Sequence, residues 1–380
     1  MLSDVNGNLD RYQRQMVLAE IGLTGQRKLL NSKVLLVGLG GLGCPASLYL
    51  AAAGVGKIGL MDGDRICVSN LQRQVLFSTA DQGKLKVEIA KQKLGALNPD
   101  LQIETYPFML TPQNALETFE GWDVIIDGTD NFFAKYLIND AAVKLSLPVV
   151  YGSISGFEGQ LSVFWSPHGP CYRCLYPEPP KGFIPNCAQA GVVGSVAGTI
   201  GSLQAMETLK LLLNENGSTL LPGVGSLFFM DLATMESRRL KLTKKEDCSV
   251  CSISPSSIVL KEETPSMCVP TLNEEDPIEI SIHEIEKTND PDRFFFIDVR
   301  EDVEWYGGYI PGAVHFSLSR LRNNETPKLS GIEGKLLVIY CRSGVRSLEA
   351  LEHFKRHGFN YAKSLAEGIL GWPGKLDKPL

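Results

Sequence analysis

The run Lys33-Val34-Leu35-Leu36-Val37-Gly38-Leu39-Gly40-Gly41-Leu42-Gly43 constrains this chain more than any other stretch. Its opening residues are apolar without alternation, the pattern of a parallel strand buried on both faces. They run into G-x-G-x-x-G, with Gly38, Gly40 and Gly43 at the fixed positions, and a small-residue helix follows over 45–53. Glycine suits a tight turn whose backbone N–H groups approach a phosphate at a helix N-terminus. Nineteen residues beyond Gly43, after a second apolar run, Asp62 offers a carboxylate to ribose hydroxyls. The expected fold is α/β, with a doubly wound, Rossmann-like nucleotide-binding sheet.

With 380 residues the chain exceeds one ordinary core, so two domains are expected. A net charge of -6 argues against a nucleic-acid partner, which would demand a basic stripe. Residues 1–7 have neither a basic nor an apolar leader pattern, so a cytoplasmic location is expected. Residues 190–213 resemble a membrane span, yet Gln204, Glu207 and Lys210 interrupt them. The glycines at 191, 194, 198 and 201 suit close helix packing, so a buried helix and no membrane contact are expected.

Along the chain, a helix is expected to end near Gly22–Gly25, and another to fill 84–97 before Asn98-Pro99 stops it. Strands are expected over 101–106, 122–127, 148–151, 160–165 and 226–232, the last two antiparallel. Residues 252–277 shift to Ser, Pro, Glu and Thr and read as a linker. A second α/β pattern follows, with strands over 294–299 and 336–340 ending in polar loops. The expected division is 1–251, linker 252–277, and 278–380.

Near the glycine turn the sequence gathers phosphate-directed groups: Arg73, Lys86 and, at a strand end, Asp130. Two cations and an acid able to hold Mg²⁺ suit a triphosphate attacked at its α-phosphorus better than a nicotinamide. This set resembles the MoeB/ThiF family and its ubiquitin-activating relatives. The matching residues are Gly38 to Gly43, the Asp62/Asp64 pair, Ser69-Asn70-Leu71-Gln72-Arg73-Gln74, Lys86 and Asp127-Gly128-Thr129-Asp130-Asn131. The resemblance implies that Asp62 takes the ribose and Gly41 the phosphates of ATP. It implies that Asn70, Arg73 and Lys86 neutralise the triphosphate, and that Asp130 holds Mg²⁺. It further implies a homodimer in which Arg14, within Arg11-Tyr12-Gln13-Arg14-Gln15, reaches the partner's ATP.

Nine cysteines in a chain with no export signal argue against a disulfide framework. Cys171/Cys174 and Cys248/Cys251 are two C-x-x-C pairs, together a closed structural Zn²⁺ site; a redox dithiol is the alternative for either pair alone. His168 is expected in an exposed turn. Cys187 lies in a stretch of turn formers, where a thiol can reach large partners. In the family the matching loop crosses near the adenylate and carries a cysteine able to link covalently to substrate.

The second domain carries Cys341-Arg342-Ser343-Gly344-Val345-Arg346-Ser347 between a strand and a helix. Backbone N–H groups, a helix N-terminus and two arginines there favour a thiolate or a bound sulfane anion. A phosphatase loop, C-x5-R, is excluded because Arg346 falls at the fifth position after Cys341. The segment resembles the rhodanese active loop, and Asp298-Val299-Arg300-Glu301 and Gly308-Tyr309-Ile310-Pro311-Gly312-Ala313 match that family's other signatures. One departure is Tyr309 where histidine is usual.

Together the resemblances imply adenylylation of the Gly-Gly terminus of a small ubiquitin-like sulfur carrier. Sulfur would then arrive from a Cys341 persulfide, charged by a cysteine desulfurase or thiosulfate. Molybdopterin and thiamine routes both stay open. So do three alternatives: an NAD-dependent oxidoreductase, adenylation of a small molecule or tRNA, and a non-catalytic docking protein.

Overall fold

The computed structural model describes residues 9–179, 191–214, 219–261 and 278–379, save scattered positions between 289 and 361. It divides into one unit up to Met267 and a second from Cys268 onward. Cys187, Cys268 and most of the expected linker lie outside the described residues.

The first unit is an eight-stranded sheet in the order β3-β2-β1-β4-β5-β6-β7-β8. Its strands are β1 (Lys33–Val37), β2 (Lys57–Met61), β3 (Gln102–Tyr106), β4 (Val124–Asp127), β5 (Val149–Ser155), β6 (Glu158–Phe164), β7 (Ser226–Asp231) and β8 (Glu236–Lys241). The pairs from β3 to β5 are parallel, and those from β5 to β8 antiparallel. Val34, Leu35 and Leu36 of β1 are fully buried. Truncating any of them to Ala should cost about 2–5 kcal/mol. The order reverses between β1 and β4, so the loops after these two strands diverge and leave a crevice at their carboxyl ends.

Helices α1 (Gly22–Asn31), α2 (Gly43–Ala53), α3 (Lys86–Leu97), α4 (Phe132–Leu145) and α5 (Gly194–Leu213) flank the sheet. The expected helix end at Gly22–Gly25 is a helix start. Gly25 lies inside α1 because a Cβ there would meet Leu213 of α5 at 3.0 Å, so it marks close packing and not a stop. The helix expected over 190–213 is α5, and its polar residues have partners within the fold. Gln204 donates to the carbonyls of Asp127 and Val150 at 2.8 and 3.1 Å. Glu207 accepts from the Gly223 N–H at 2.7 Å and pairs with Lys210. A Cβ on Gly201 would fall 2.4 Å from the Leu42 carbonyl oxygen, so this helix lies directly on the glycine turn. Among the described residues no helix is long and apolar enough to cross a membrane.

The second unit holds a five-stranded parallel sheet in the order β11-β10-β12-β13-β9. Its strands are β9 (Glu279–Ile280), β10 (Phe294–Asp298), β11 (Val314–His315), β12 (Leu336–Tyr340) and β13 (Lys363–Leu365). Helix α6 (Val345–Arg356) follows β12 after a four-residue loop that opens with Cys341.

Candidate nucleotide, metal and sulfur sites

At the switch point between β1 and β4 lies a cavity of about 410 Å³. A Cβ on Gly43 would sit 2.0 Å from the Gly38 carbonyl oxygen, so the turn closes only with glycine there. Gly38, Gly40 and Gly41 line the cavity from one side, and Gly128, Thr129, Asp130 and Asn131 from the other. The second loop is shaped by Asp127, whose carboxylate accepts from Thr129 N–H and Oγ1 and from buried Lys135 Nζ at 2.9 Å.

Asp62 is buried and already engaged. Its Oδ2 accepts from the Leu39 N–H at 2.8 Å and its Oδ1 from the Asp64 N–H at 2.8 Å. Lys86 Nζ lies 3.3 Å from Asp62 and 2.7 Å from Asp64. Burial alone would pull the Lys86 ammonium down, but the two carboxylates outweigh it and hold its pKa above the usual lysine value. The spare lone pair of Asp62 Oδ1 and the half-exposed Asp64 carboxylate remain able to accept from hydroxyls of a ligand in the cavity. Asn70 and Arg73 also line the cavity, and Arg73 donates to the Ser69 carbonyl at 3.3 Å. Asp130 is exposed at the cavity and pairs with no other described residue.

Sequence reasoning missed the apolar wall Phe108, Met109 and Leu110, together with Lys135 and Ser153 to Ser155, whereas Gln74 of the matching motif does line the cavity. The missed residues come from the ends of β3 and β5 and from α4, and carry no local motif. The Gln74 side-chain oxygen is buried and has no hydrogen-bond partner among the described residues. Ser69, Leu71 and Gln72 lie outside the lining; Leu71 packs into the core, and the Gln72 side chain reaches the Val192 carbonyl at 3.5 Å. Arg14 is exposed and also outside this cavity, near exposed Val17 and Leu18.

Cys171, Cys174, Cys248 and Cys251 converge, all four sulfurs lying within 4.8 Å of one another and all four residues buried. Neighbouring sulfurs stand 3.6 Å (Cys171–Cys248), 3.4 Å (Cys174–Cys251) and 4.0 Å (Cys171–Cys174) apart. A tetrahedron with zinc–sulfur bonds of about 2.3 Å has edges of about 3.8 Å, so this donor set fits one zinc ion. Without a cation two of these thiols resist ionisation: burial and the neighbouring sulfurs push Cys171 up, and burial raises Cys251 to about 12, whereas at Cys248 burial is outweighed by hydrogen bonds that lower its pKa. His168 lies in an exposed turn with its ring against Trp165 and stands outside this cluster. Arg173, between two of the sulfurs in sequence, forks onto Asp140 of α4 at 2.7–3.2 Å. The cluster is thereby tied to the helix that begins next to Asn131.

In the second unit Cys341 is 1 % exposed, with Ser347 Oγ 3.6 Å from its sulfur. Arg342 and Ser343 are exposed, Gly344 takes a left-handed conformation, and Val345 begins α6. Arg346 is buried, and its Nη1 and Nη2 both bind Glu304. Arg300 forks onto Asp298 and also donates to the Gly308 carbonyl at 2.7 Å, fastening two of the expected signatures together as scaffold. Tyr309, in the position where histidine was expected, stacks on Trp305 with centroids 3.7 Å apart, and Trp305 stacks on His315.

The switch-point cavity with its glycine turn defines a nucleotide-binding α/β unit, and the Cys341 loop sits on a separate parallel-sheet unit. Residues 12–250 match the ThiF family and residues 281–375 the rhodanese-like domain. The chain belongs to the ThiF family and carries a rhodanese-like domain behind it. It is similar to adenylyltransferase and sulfurtransferase MOCS3 of Aedes aegypti, 38% identical over 392 residues, spanning 98% of this chain and 88% of the relative. It is 39% identical over 380 residues to the protein named probable adenylyltransferase/sulfurtransferase MoeZ of Mycobacterium tuberculosis, spanning 96% and 93%. A sulfur carrier protein adenylyltransferase of Thermus thermophilus is 46% identical over 254 residues, 65% of this chain and 92% of that one. The fold is also that of E. coli MccB crystallised with ATP, with a TM-score of 0.56, 24% identity and coverage of 65% and 75%.

Proposed function

We propose that this enzyme, an adenylyltransferase and sulfurtransferase, activates a small ubiquitin-like sulfur carrier and converts its terminal carboxylate to a thiocarboxylate. The observation that carries the reading is the cavity at the switch point, where Lys86, held between Asp62 and Asp64, shares a lining with Arg73 and Asp130. ATP enters there, its ribose on Asp62 and Asp64 and its phosphates over Gly41. The carrier's Gly-Gly carboxylate attacks the α-phosphorus, the bond to the bridging oxygen breaks, and pyrophosphate leaves with the electron pair. Asn70, Arg73 and Lys86 neutralise the charge that moves onto the leaving group. Mg²⁺ on Asp130 would supply further charge neutralisation, and Zn²⁺ on the four cysteines a structural clamp. In a homodimer, exposed Arg14 would extend to the partner's nucleotide.

Cys341 carries the sulfur as a persulfide, charged by thiosulfate or a cysteine desulfurase. Its terminal sulfur attacks the acyl-adenylate carbonyl, and AMP departs. Cys187, which lies outside the described residues, releases the product by attacking Cys341 Sγ. The S–S pair leaves on the thiocarboxylate, and a thiol reductant reopens the Cys187–Cys341 disulfide. Holding both activities on one chain makes the second step intramolecular. Reduced cysteines of this kind suit the cytoplasm. Support for a protein substrate, over a nicotinamide or a tRNA, comes from the name of the Thermus thermophilus relative, a sulfur carrier protein adenylyltransferase, and from the rhodanese-like domain. Carrier-dependent exchange of pyrophosphate into ATP tests the first half; no exchange with any Gly-Gly-ended carrier would refute it.

A further inference from the structure

Two buried serines stand against the sulfur loop, and the second comes from another strand. Ser347 and Ser364 are both fully buried. Ser347 Oγ donates to the Gly344 carbonyl at 2.6 Å and lies 3.6 Å from Cys341 Sγ. Ser364 Oγ, on β13, lies 2.9 Å from Ser347 Oγ and 3.4 Å from the same Gly344 carbonyl. Two hydroxyl protons therefore serve three acceptors.

A neutral thiol asks little of such donors, whereas a buried thiolate needs charge-assisted hydrogen bonds. Arg346 commits both Nη groups to Glu304, which leaves only its buried Nε without a partner among the described residues, and Arg342 is exposed. The loop's backbone N–H groups and the helix N-terminus supply part of that stabilisation, and the Ser347 hydroxyl 3.6 Å from Sγ is placed to add to it. We propose that Ser347 and Ser364 form a two-hydroxyl switch for Cys341: on ionisation Ser347 turns its proton to Sγ, and Ser364 takes over the Gly344 carbonyl. A single serine would leave the buried Gly344 carbonyl with only the long 3.4 Å bond from the Leu348 N–H, so the second hydroxyl eases the exchange. Ser364 acts through Ser347 and is a positioning residue.

The switch serves the loading step. The Cys341 thiolate attacks the sulfane sulfur of thiosulfate, a Sγ–S bond forms, and the thiosulfate S–S bond breaks. Sulfite leaves with the electron pair, and the negative charge on the cysteine passes to the terminal sulfur of the persulfide. Ser347 then returns its proton to the Gly344 carbonyl.

The inference rests on the reading of Cys341 as sulfur carrier, and its test is chosen to separate the two. In the full chain, iodoacetamide alkylation of the Cys341 peptide is followed by mass spectrometry across about pH 5 to 9. Ser347→Ala should raise the midpoint of the alkylation profile by about one pH unit and slow alkylation near neutrality up to about tenfold. Ser364→Ala should shift it in the same direction by less, and Ser347→Thr, which keeps the hydroxyl, should restore it. Alanine profiles that superimpose on the parent's would overturn the switch. Should Ser347→Ala fail to fold by circular dichroism, Ser364→Ala decides alone. A parent protein that alkylates normally yet accepts no sulfane sulfur refutes the sulfur-carrier reading, and with it the loading role assigned to the switch.

Discussion

Arg346 closes its guanidinium fork on Glu304, with Nη1 and Nη2 at 2.7 and 2.8 Å from the two carboxylate oxygens. The sequence reading aimed Arg346 at the sulfur. The fold also uses it to fasten the helix start of α6 to the short helix Asp302–Trp305, and its charge still interacts with Cys341. Burial would push the Glu304 carboxyl up, but the fork outweighs it and holds the pKa below the usual glutamate value. A depressed acid contributes stability above its unfolded pKa and loses it as pH falls through the folded one. Glu304→Gln should therefore destabilise the second unit by about 1–3 kcal/mol at neutral pH, Glu304 being partly exposed. The gap between parent and variant should shrink on acidification in denaturant titrations, and a gap independent of pH would contradict the pairing.

Lys86 presents a comparable case in the first unit. Asp62 and Asp64 keep it charged despite burial, so it stays an ammonium throughout the neutral range. Lys86→Met should leave two carboxylates facing the triphosphate and reduce pyrophosphate exchange by at least about 10²-fold. Exchange within about threefold of the parent would remove Lys86 from the nucleotide site.

What the sequence disclosed follows a physical division. The glycine turn, the paired cysteines and the Cys341 loop each place their chemistry within a few consecutive residues, so spacing alone reports them. The wall formed by Phe108, Met109 and Leu110 was not legible, because adjacency to the glycine turn arises only when β3 pairs next to β2. Lys135 reads as an ordinary helix lysine until Asp127 is brought 2.9 Å from it. Strand β8, Glu-Ser-Arg-Arg-Leu-Lys, shows no alternation because all six residues are exposed; backbone pairing with β7 makes the strand. Gly25 read as a stop signal, whereas α5 needs its missing side chain.

Asp130 offers a carboxylate at the cavity that pairs with no other described residue. Asp130→Ala should abolish carrier-dependent pyrophosphate exchange while leaving the melting temperature within about 2 °C, since surface changes cost about 0.5 kcal/mol or less. Normal exchange would release Asp130 from the Mg²⁺ role.

The four-sulfur cluster should carry close to one zinc ion per chain, read by plasma emission on the purified protein. Cys248→Ser should lose that metal and lower the melting transition of the first unit, because a bound ion would hold Cys171 and Cys174 against Cys248 and Cys251. Metal content near zero in the parent would overturn the assignment.

The most direct measurement is the intact mass of a Gly-Gly-ended carrier after incubation with this enzyme, ATP and thiosulfate. The expected result is the gain of one sulfur in place of one oxygen. With Cys341→Ala that gain should be absent, while pyrophosphate exchange continues. A carrier that emerges at its starting mass from the parent enzyme, or one that gains sulfur without Cys341, would contradict the account.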